Sequence, residues 1–327
     1  MATGWKAGWG LVLLMEAILA LGALPYACAQ GSLDQVHVLP PAGKPHQELR
    51  PGDVRTNVDL VLVPVTVLDR GDRAVTGLRA EDFTIFDDKI AQSIKYFSGE
   101  DTPISLTVVL DASGSMAGHE EQLRAAATEL FKEANPRDEF RLVTFGDEPR
   151  PTATLPRLLG DVQDALTAVQ PHGLTALWDT VYLAIMDLKQ AEYARRAIVL
   201  ISDGGDNHSR HTQSEIKNLL KEAGIQVYAL GIFDRSPKTR EEKIGPLVLD
   251  EVVSVTAGRI FTIHDPKEIP QAVTQIDLEL RNQYVLGYYP SNRGRDGKWR
   301  TLKVQLAAPP QSKLRVYARK GYYGPAK

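Results

Sequence analysis

The stretch Asp111-Ala-Ser113-Gly-Ser115-Met116 sets one carboxylate and two hydroxyls on alternate residues, directly after the apolar run Ile104–Asp111. Alternate residues of a short loop can turn inward together, and hard oxygen donors of this kind suit Mg²⁺, Mn²⁺ or Ca²⁺. One loop does not complete a cation site. Thr175, in His172-Gly-Leu-Thr175-Ala-Leu177, stands just ahead of an amphipathic stretch, and Asp203, in Ile201-Ser-Asp203-Gly-Gly205, closes another apolar run. Asp111, Ser113, Ser115, Thr175 and Asp203 together offer five oxygen-bearing side chains, of which two are carboxylates. Such a set underfills and under-neutralises a divalent cation, which leaves positions for water and for an acidic group from another molecule. Each piece also has a plainer reading. Asp and Ser ahead of a helix cap its free amides, Thr175 can do the same, and Asp203 suits the turn at Gly204-Gly205. Their joint occurrence, at strand ends in the expected order, favours a shared cation site over three independent caps.

Several neighbours carry chemistry of their own. Asp179 follows Thr175 by one helical turn; it can orient Thr175 or a metal-bound water, or serve as the carboxylate that a helix N-terminus favours. Asp206 and Asn207 border the site and are candidates for touching a partner. His208 and His211, with Asp206, have the residue types of a second metal site, but a polar loop capping the helix from Thr212 is the preferred reading. Catalysis is not expected. The hydroxyls nearest the cation are used as ligands, no His is placed beside it, and neither a Gly-x-Ser-x-Gly nor a Walker signature occurs. The alternatives are a Mg²⁺-dependent hydrolase or phosphatase, in which the cation activates water, and a structural envelope scaffold.

The elements that must position these residues alternate along the middle of the chain. Ile104–Asp111, Glu139–Phe145, Arg196–Asp203, Ile225–Phe233 and Gly258–Ile263 are short, nearly continuous apolar runs, as in strands covered on both faces. Between them, His119–Ala134, Leu155–Val169, Leu177–Gln190, Thr212–Ala223, Leu247–Thr256 and Pro266–Leu280 have helical character, with Gly224 as a stop signal. This order predicts an α/β fold with a doubly wound, mainly parallel sheet, whose ligands bind at the carboxyl ends of the strands. Flanking it are β signals. Val58–Asp69 alternates, Ala74–Leu78, Phe83–Phe86 and Gln92–Phe97 follow as short strands, and Gln283–Tyr289, Trp299–Leu306 and Leu314–Arg319 close the chain. Strands at both ends need partners, so they are expected to form one small β domain together. The predicted organisation is a signal peptide at 1–29, a flexible linker at 30–55, an N-terminal β segment at 56–100, the α/β domain at 101–280 and a C-terminal β segment at 281–327. Arg70-Gly71-Asp72 spells an adhesion tripeptide, but its residue types are those of a polar hairpin turn.

Composition bounds the function. With 43% hydrophobic and 24% charged residues the 327-residue chain is of ordinary globular type, and a formal charge of −3 provides no field for holding nucleic acid. Met1–Ala29 has the parts of a secretory signal: Lys6, the apolar Gly10–Leu24, and the small-x-small site Ala27-Cys28-Ala29, with cleavage expected after Ala29. Glu16 within the apolar run disfavours an uncleaved anchor, and Pro25 three residues ahead of Cys28 disfavours a lipoprotein. The expectation is a secreted or periplasmic protein with no stable membrane span after signal removal. Cys28 is the only cysteine, which excludes Cys-rich metal sites and suits a bacterial periplasm.

On Asp111-x-Ser113-x-Ser115, Thr175 and Asp203-Gly204, the chain resembles a von Willebrand factor type A domain with a metal-ion-dependent adhesion site, over about Thr102 to Leu280. The resemblance implies a Rossmann-like sheet wrapped by helices. It further implies a Mg²⁺ held by Ser113, Ser115 and Thr175, with Asp111 and Asp203 acting directly or through water. An Asp or Glu carboxylate from a partner protein would complete the shell. The flanking Val75-Thr-Gly-Leu78, Asp82-Phe83, Leu286-Gly-Tyr288 and Arg319-Lys-Gly-Tyr322 resemble an uncharacterised bacterial group related to this domain.

Overall fold

The computed structural model describes residues 60–151, 164, 166–167, 169–237, 239–307 and 313–326. The expected signal peptide and linker lie outside the described residues, as does most of the predicted helix Leu155–Val169. Among the described residues, no helix is long and apolar enough to cross a membrane.

The chain enters as strand β1 (Val61–Leu68), whose buried side is Val61, Val63, Val65 and Val67. Asp69 Oδ1 then accepts from the amides of Gly71 (2.7 Å) and Arg73 (3.0 Å), closing a turn in which Asp72 takes a positive φ of 60°. The Asp72 carboxylate is ion-paired with Arg259 and Arg315. Arg70-Gly71-Asp72 is therefore the turn and not a freely displayed tripeptide. Strands β2 (Phe83–Asp87), β3 (Ile90–Gln92) and β4 (Ile94–Ser98) follow. The predicted strand Ala74–Leu78 is absent apart from one bridge between Ala74 and Leu68. Val75 N donates to Val67 O of β1, and beyond that a side chain takes over: the Tyr284 hydroxyl accepts from Leu78 N and donates to Val75 O.

The α/β part begins with β5 (Ile104–Asp111), every residue of which is buried. It continues through α1 (Glu120–Glu133), β6 (Glu139–Phe145), β7 (Pro149–Pro151), α2 (Leu177–Leu188), β8 (Arg195–Ser202), α3 (Gln213–Ala223), β9 (Gln226–Ile232), α4 (Arg240–Val253), β10 (Ile260–Ile263) and α5 (Ile269–Arg281). The sheet order is β10-β9-β8-β5-β6-β7, parallel except for β7 at one edge. β7 escaped the sequence reading because prolines disfavour ladders; an edge strand tolerates them. One face of the sheet packs on α1 and α5, through Leu123, Leu130, Val273 and Ile276; the other packs on α2, α3 and α4, through Val181, Ile185, Leu220 and Val252. The sheet is thus doubly wound. The chain passes from β5 to β6 on one side and then, by way of β7 and α2, returns to β8 on the other side of β5; this reversal of strand order opens a crevice at the carboxyl end of β5.

Two helix ends illustrate the local chemistry. α3 stops at Gly224, which adopts the left-handed conformation expected of a helix-terminating glycine, with φ of 65°. α4 starts seven residues before the predicted Leu247, because Thr239 and Glu242 form a reciprocal cap and the helix continues through Pro246.

After α5 come β11 (Tyr284–Tyr288), β12 (Trp299–Leu306), β13 (Arg315–Ala318) and β14 (Gly321–Tyr323). They pair with strands from the other end of the chain in two four-stranded sheets, β13-β1-β11-β4 and β14-β12-β2-β3. Val63, Ile85, Leu286, Leu302 and Val304 pack between the two sheets.

Candidate metal centre

Backbone hydrogen bonds bring the three sequence-predicted stretches together at the carboxyl end of β5. Ala112 N donates to Phe145 O of the neighbouring β6, while Ala112 O accepts from His172 N (3.0 Å) and Gly114 N donates to Gly173 O (3.1 Å). The loop carrying Asp111, Ser113 and Ser115 is thereby stitched to the segment leading into Thr175. Gly146 permits this approach: a Cβ there would lie 2.9 Å from His172 O. The third stretch joins through Asn207, whose Oδ1 accepts from Thr175 N (2.9 Å) and whose own amide donates to Thr175 O (3.0 Å). His208 N donates to the same carbonyl.

The side chains grade from interior to surface. Asp111 is fully buried, with Oδ1 accepting from Ser113 N (3.0 Å) and Oδ2 accepting from Ser202 Oγ (2.6 Å). Burial and the neighbouring charge of Asp203 raise its carboxyl from the ordinary value to about 7. Ser113 is buried and Ser115 exposed, with their hydroxyl oxygens 3.1 Å apart. Thr175 is buried, and Asp203, partly exposed, accepts from Gly205 N (2.8 Å).

None of these hydroxyls serves as a helix cap. Ser113 precedes a short 3₁₀ turn without a side-chain cap, α1 follows an uncapped His119, and α2 follows an uncapped Ala176. The first amides of α2 bond instead to Ser209 Oγ, from Trp178 N (2.9 Å) and Asp179 N (3.1 Å). Among the described residues no Lys or Arg forms an ion pair with Asp111 or Asp203. Two neighbouring carboxylates, one of them buried, thus lack a protein counter-charge, and the oxygens around them are hard donors. That chemistry fits a hard divalent cation.

The bordering residues do different work from that expected of them singly. Asp179 accepts from the amides of Arg210 (3.0 Å) and His211 (2.9 Å) and pairs with the His211 ring, which lies flat on Tyr182. Burial pushes the Asp179 carboxyl up, but those donors outweigh it and hold it below the usual carboxylate range. Asp206 accepts from Ser209 Oγ and faces Trp178 N; burial raises its carboxyl. Asp179 and Asp206 therefore shape the 206–211 loop, and Asn207 holds Thr175. Among the described residues no group of three or more His, Cys, Asp and Glu is arranged to hold a metal, so His208, His211 and Asp206 form a polar loop. Two participants went unnoticed in the sequence, Ser202 and Ser209. Ser202 carried a usable signal: it is adjacent to Asp203 at the end of a strand next to β5, level with Asp111.

Residues 105–275, which are 171 of the 327, match the model of the von Willebrand factor type A domain. Inter-alpha-trypsin inhibitor heavy chain H4 of Homo sapiens is 28% identical over 223 residues, which cover 61% of this chain and 23% of that protein. The chain thus spans under a quarter of the length of that relative. Among solved structures, a von Willebrand factor type A protein from Catenulispora acidiphila aligns over 82% of this chain and 74% of its own, at 11% identity and a TM-score of 0.47. Proximal thread matrix protein 1 from the mussel byssus, with a zinc-occupied MIDAS motif, aligns over 58% of this chain and 48% of its own, at 18% identity and a TM-score of 0.46. On the family match over more than half its length, and with the doubly wound sheet described above, the chain belongs to the von Willebrand factor type A domain family.

Proposed function

We propose that this chain is an exported, metal-dependent protein-binding module. Asp111, Ser113, Ser115, Thr175 and Asp203 hold a divalent cation, Mg²⁺ or alternatively Mn²⁺ or Ca²⁺, and an Asp or Glu of a partner protein completes its coordination. The supporting observation is the pair Asp111 and Asp203, without a counter-charge, next to hydroxyls that no helix uses and that run from the interior to the exposed Ser115. A bound cation would neutralise the two carboxylates and offer open positions to an outside carboxylate. The chain's own part is preorganisation: Ser202 fixes Asp111, and Asn207 fixes the Thr175 backbone. The nearby carboxylates of a type suited to a general base, Asp179 and Asp206, are engaged in hydrogen bonds to the 206–211 loop, which supports binding over hydrolysis. Secretion or periplasmic residence rests on the signal-like Met1–Ala29.

The test is titration calorimetry of Mg²⁺ and Mn²⁺ into chelator-stripped protein, followed by capture from the native envelope fraction in Mg²⁺ and release by chelator. One-site binding and chelator-reversible capture are expected; absence of metal heat overturns the assignment. Ser202→Ala, which strips Asp111 of a hydroxyl donor, is expected to weaken Mg²⁺ binding about tenfold while the far-UV spectrum is unchanged. An unaltered affinity would remove Ser202 from the site.

A further inference from the structure

The flanking sheets carry charge of a different balance from the rest of the chain. Residues 291–327 include ten Lys and Arg against one acidic residue, Asp296, in a chain whose formal charge is −3. Part of that excess is gathered at one end of the two sheets. The loop 289–298 leaves β11 at Tyr288, which pairs with Ile94 of β4, and leads into β12. It meets the turn Asp88-Lys89 between β2 and β3, where Asp88 N donates to Thr301 O (2.9 Å) and Asp88 Oδ1 accepts from Thr301 N (2.8 Å). Gln92 closes the corner. Its Nε2 donates to Ile90 O (3.1 Å) and to Ser291 Oγ (2.9 Å), and its Oε1 accepts from Ser291 N (3.1 Å).

The loop is fixed from inside. Arg300, 2% exposed, donates to Asn292 O (2.6 Å) and to Gly294 O, and Gly297 N donates to Pro325 O (3.2 Å). What this scaffold presents to solvent is basic and apolar. Lys89, Arg293, Arg295 and Lys298 are exposed and form no ion pair among the described residues. Ile90 and Tyr289 are 57% and 44% exposed. The carboxylates of this end are engaged inward: Asp87 by the Tyr288 and Tyr322 hydroxyls, Asp88 by Thr301 N, and Asp296 by Lys298 N and Arg300. Lys89 also takes a φ of 71° in its two-residue turn, so an ammonium stands at the tip where glycine is the unstrained choice.

We propose that this end of the flanking sheets docks on an anionic bilayer surface, with Lys89, Arg293, Arg295 and Lys298 meeting lipid phosphates and Ile90 and Tyr289 entering the headgroup region. Each cation near such a surface adds its own attraction, and the apolar tips add burial, which together give a reversible, salt-sensitive attachment. The tips favour a bilayer over a nucleic acid. Ile90 offers no plane on which a base can stack, whereas an aliphatic side chain and a Tyr beside cations suit headgroup depth. The attachment leaves the metal centre uncovered. The flanking sheets join the α/β part at the amino ends of its strands, where Gln283 Nε2 donates to Gln226 Oε1 (2.6 Å) at the start of β9, and the centre lies at the carboxyl ends.

The test floats the full chain, in chelator, with vesicles of phosphatidylcholine alone or mixed with phosphatidylglycerol, and takes partition coefficients from lipid titrations. Chelator makes the outcome independent of the metal centre. Parent and variants share Met1–Ala29, so whatever that segment adds cancels in their ratio. The parent is expected to float with the mixed vesicles at low salt and to be released at high salt. Arg293→Glu with Arg295→Glu should weaken the partition at least about tenfold, and Ile90→Ser with Tyr289→Ser about tenfold. Arg137→Glu with Lys189→Glu makes the same change of charge on exposed residues of the α/β part and should weaken it less than about twofold. All six residues are exposed, so the urea midpoints should match that of the parent. Equal flotation with phosphatidylcholine alone, an equal loss in the Arg137 and Lys189 variant, or full retention in the Ile90 and Tyr289 variant would each overturn the proposal. The last result would mean an electrostatic hold on polyanions in general, without a bilayer.

Discussion

Asp111→Ala is expected to lose calorimetric Mg²⁺ binding, by at least about a hundredfold or about 2.8 kcal/mol, and to lose chelator-reversible partner capture with it. Asp111 is fully buried at the end of the central strand, and both of its oxygens are oriented by donors, Ser113 N and Ser202 Oγ. Removing it deletes one of two carboxylates and leaves Ser202 without its acceptor. Metal-free stability should move the other way. Burial, then the charge of Asp203, raises the folded-state value of Asp111 to about 7, well above the usual carboxylate range. Between that range and the raised value the native state binds more protons than the unfolded chain. Its contribution to stability is therefore full below about 4 and is lost as pH rises through about 7. In chelator, the urea midpoint of the parent should fall between pH 5 and pH 7.5 more steeply than that of Asp111→Asn, which removes the charge at similar size. Mg²⁺ should restore the parent at the higher pH and leave Asp111→Asn unmoved. Unchanged metal heat in Asp111→Ala contradicts the assignment of this residue.

The reason Asp111 was readable from sequence is that its signal is local and coincident. A buried strand ends on it, the alternating hydroxyls follow directly, and strand ends of a parallel sheet are where loops gather. β5, β6 and β12 match the runs read from the sequence at both ends, because continuous or alternating apolar patterning fixes strands whose faces are both covered or half covered. What failed depended on distant side chains. Ala74–Leu78 has strand composition, yet after Val75 N bonds to Val67 O of β1 the ladder stops, and Tyr284, more than two hundred positions away, takes Val75 O and Leu78 N. The helix expected from Leu247 begins at Arg240, because the Thr239 and Glu242 cap starts it there and it continues through Pro246. Asp179 and Thr175 are neighbours on a helix map, but the turn after Asp203 comes back across α2 and takes the Asp179 carboxylate for itself. Spacing along one element reveals which groups share a face; it does not reveal which loop arrives to occupy them.

The second large effect concerns the link between the α/β part and the flanking sheets. Arg259, just before β10, pairs with Glu279 of α5 (2.8 Å) and with Asp72 of the turn after β1 (2.9 Å), and Asp72 also pairs with Arg315 of β13. The Glu279 side chain is 1% exposed, and its other hydrogen bond is from Gln275 Nε2 (3.0 Å). Burial raises the Glu279 carboxyl, and Arg259 is the strongest influence opposing that. Arg259→Ala therefore leaves a buried carboxylate without its cation, and the expected cost is about 3 kcal/mol, seen as a lower urea midpoint. The loss should depend on pH with a definite sign. Without Arg259 the folded-state value of Glu279 rises further above its unfolded value, so stability is retained at low pH and lost as pH rises through the new value. The gap between variant and parent should be larger at pH 8 than at pH 5. Arg259→Ala combined with Glu279→Gln should recover most of the loss, since the carboxylate that needed the cation is gone. A deficit in the double variant as large as in the single one would mean that Arg259 acts through its packing on Phe261 and Tyr317 instead. If the charge pair is what matters, Arg259 is the shared cation that joins Glu279 of the α/β part to Asp72 of the turn after β1, and magnesium affinity, set at the other side of the sheet's strand ends, should be the same in Arg259→Ala as in the parent.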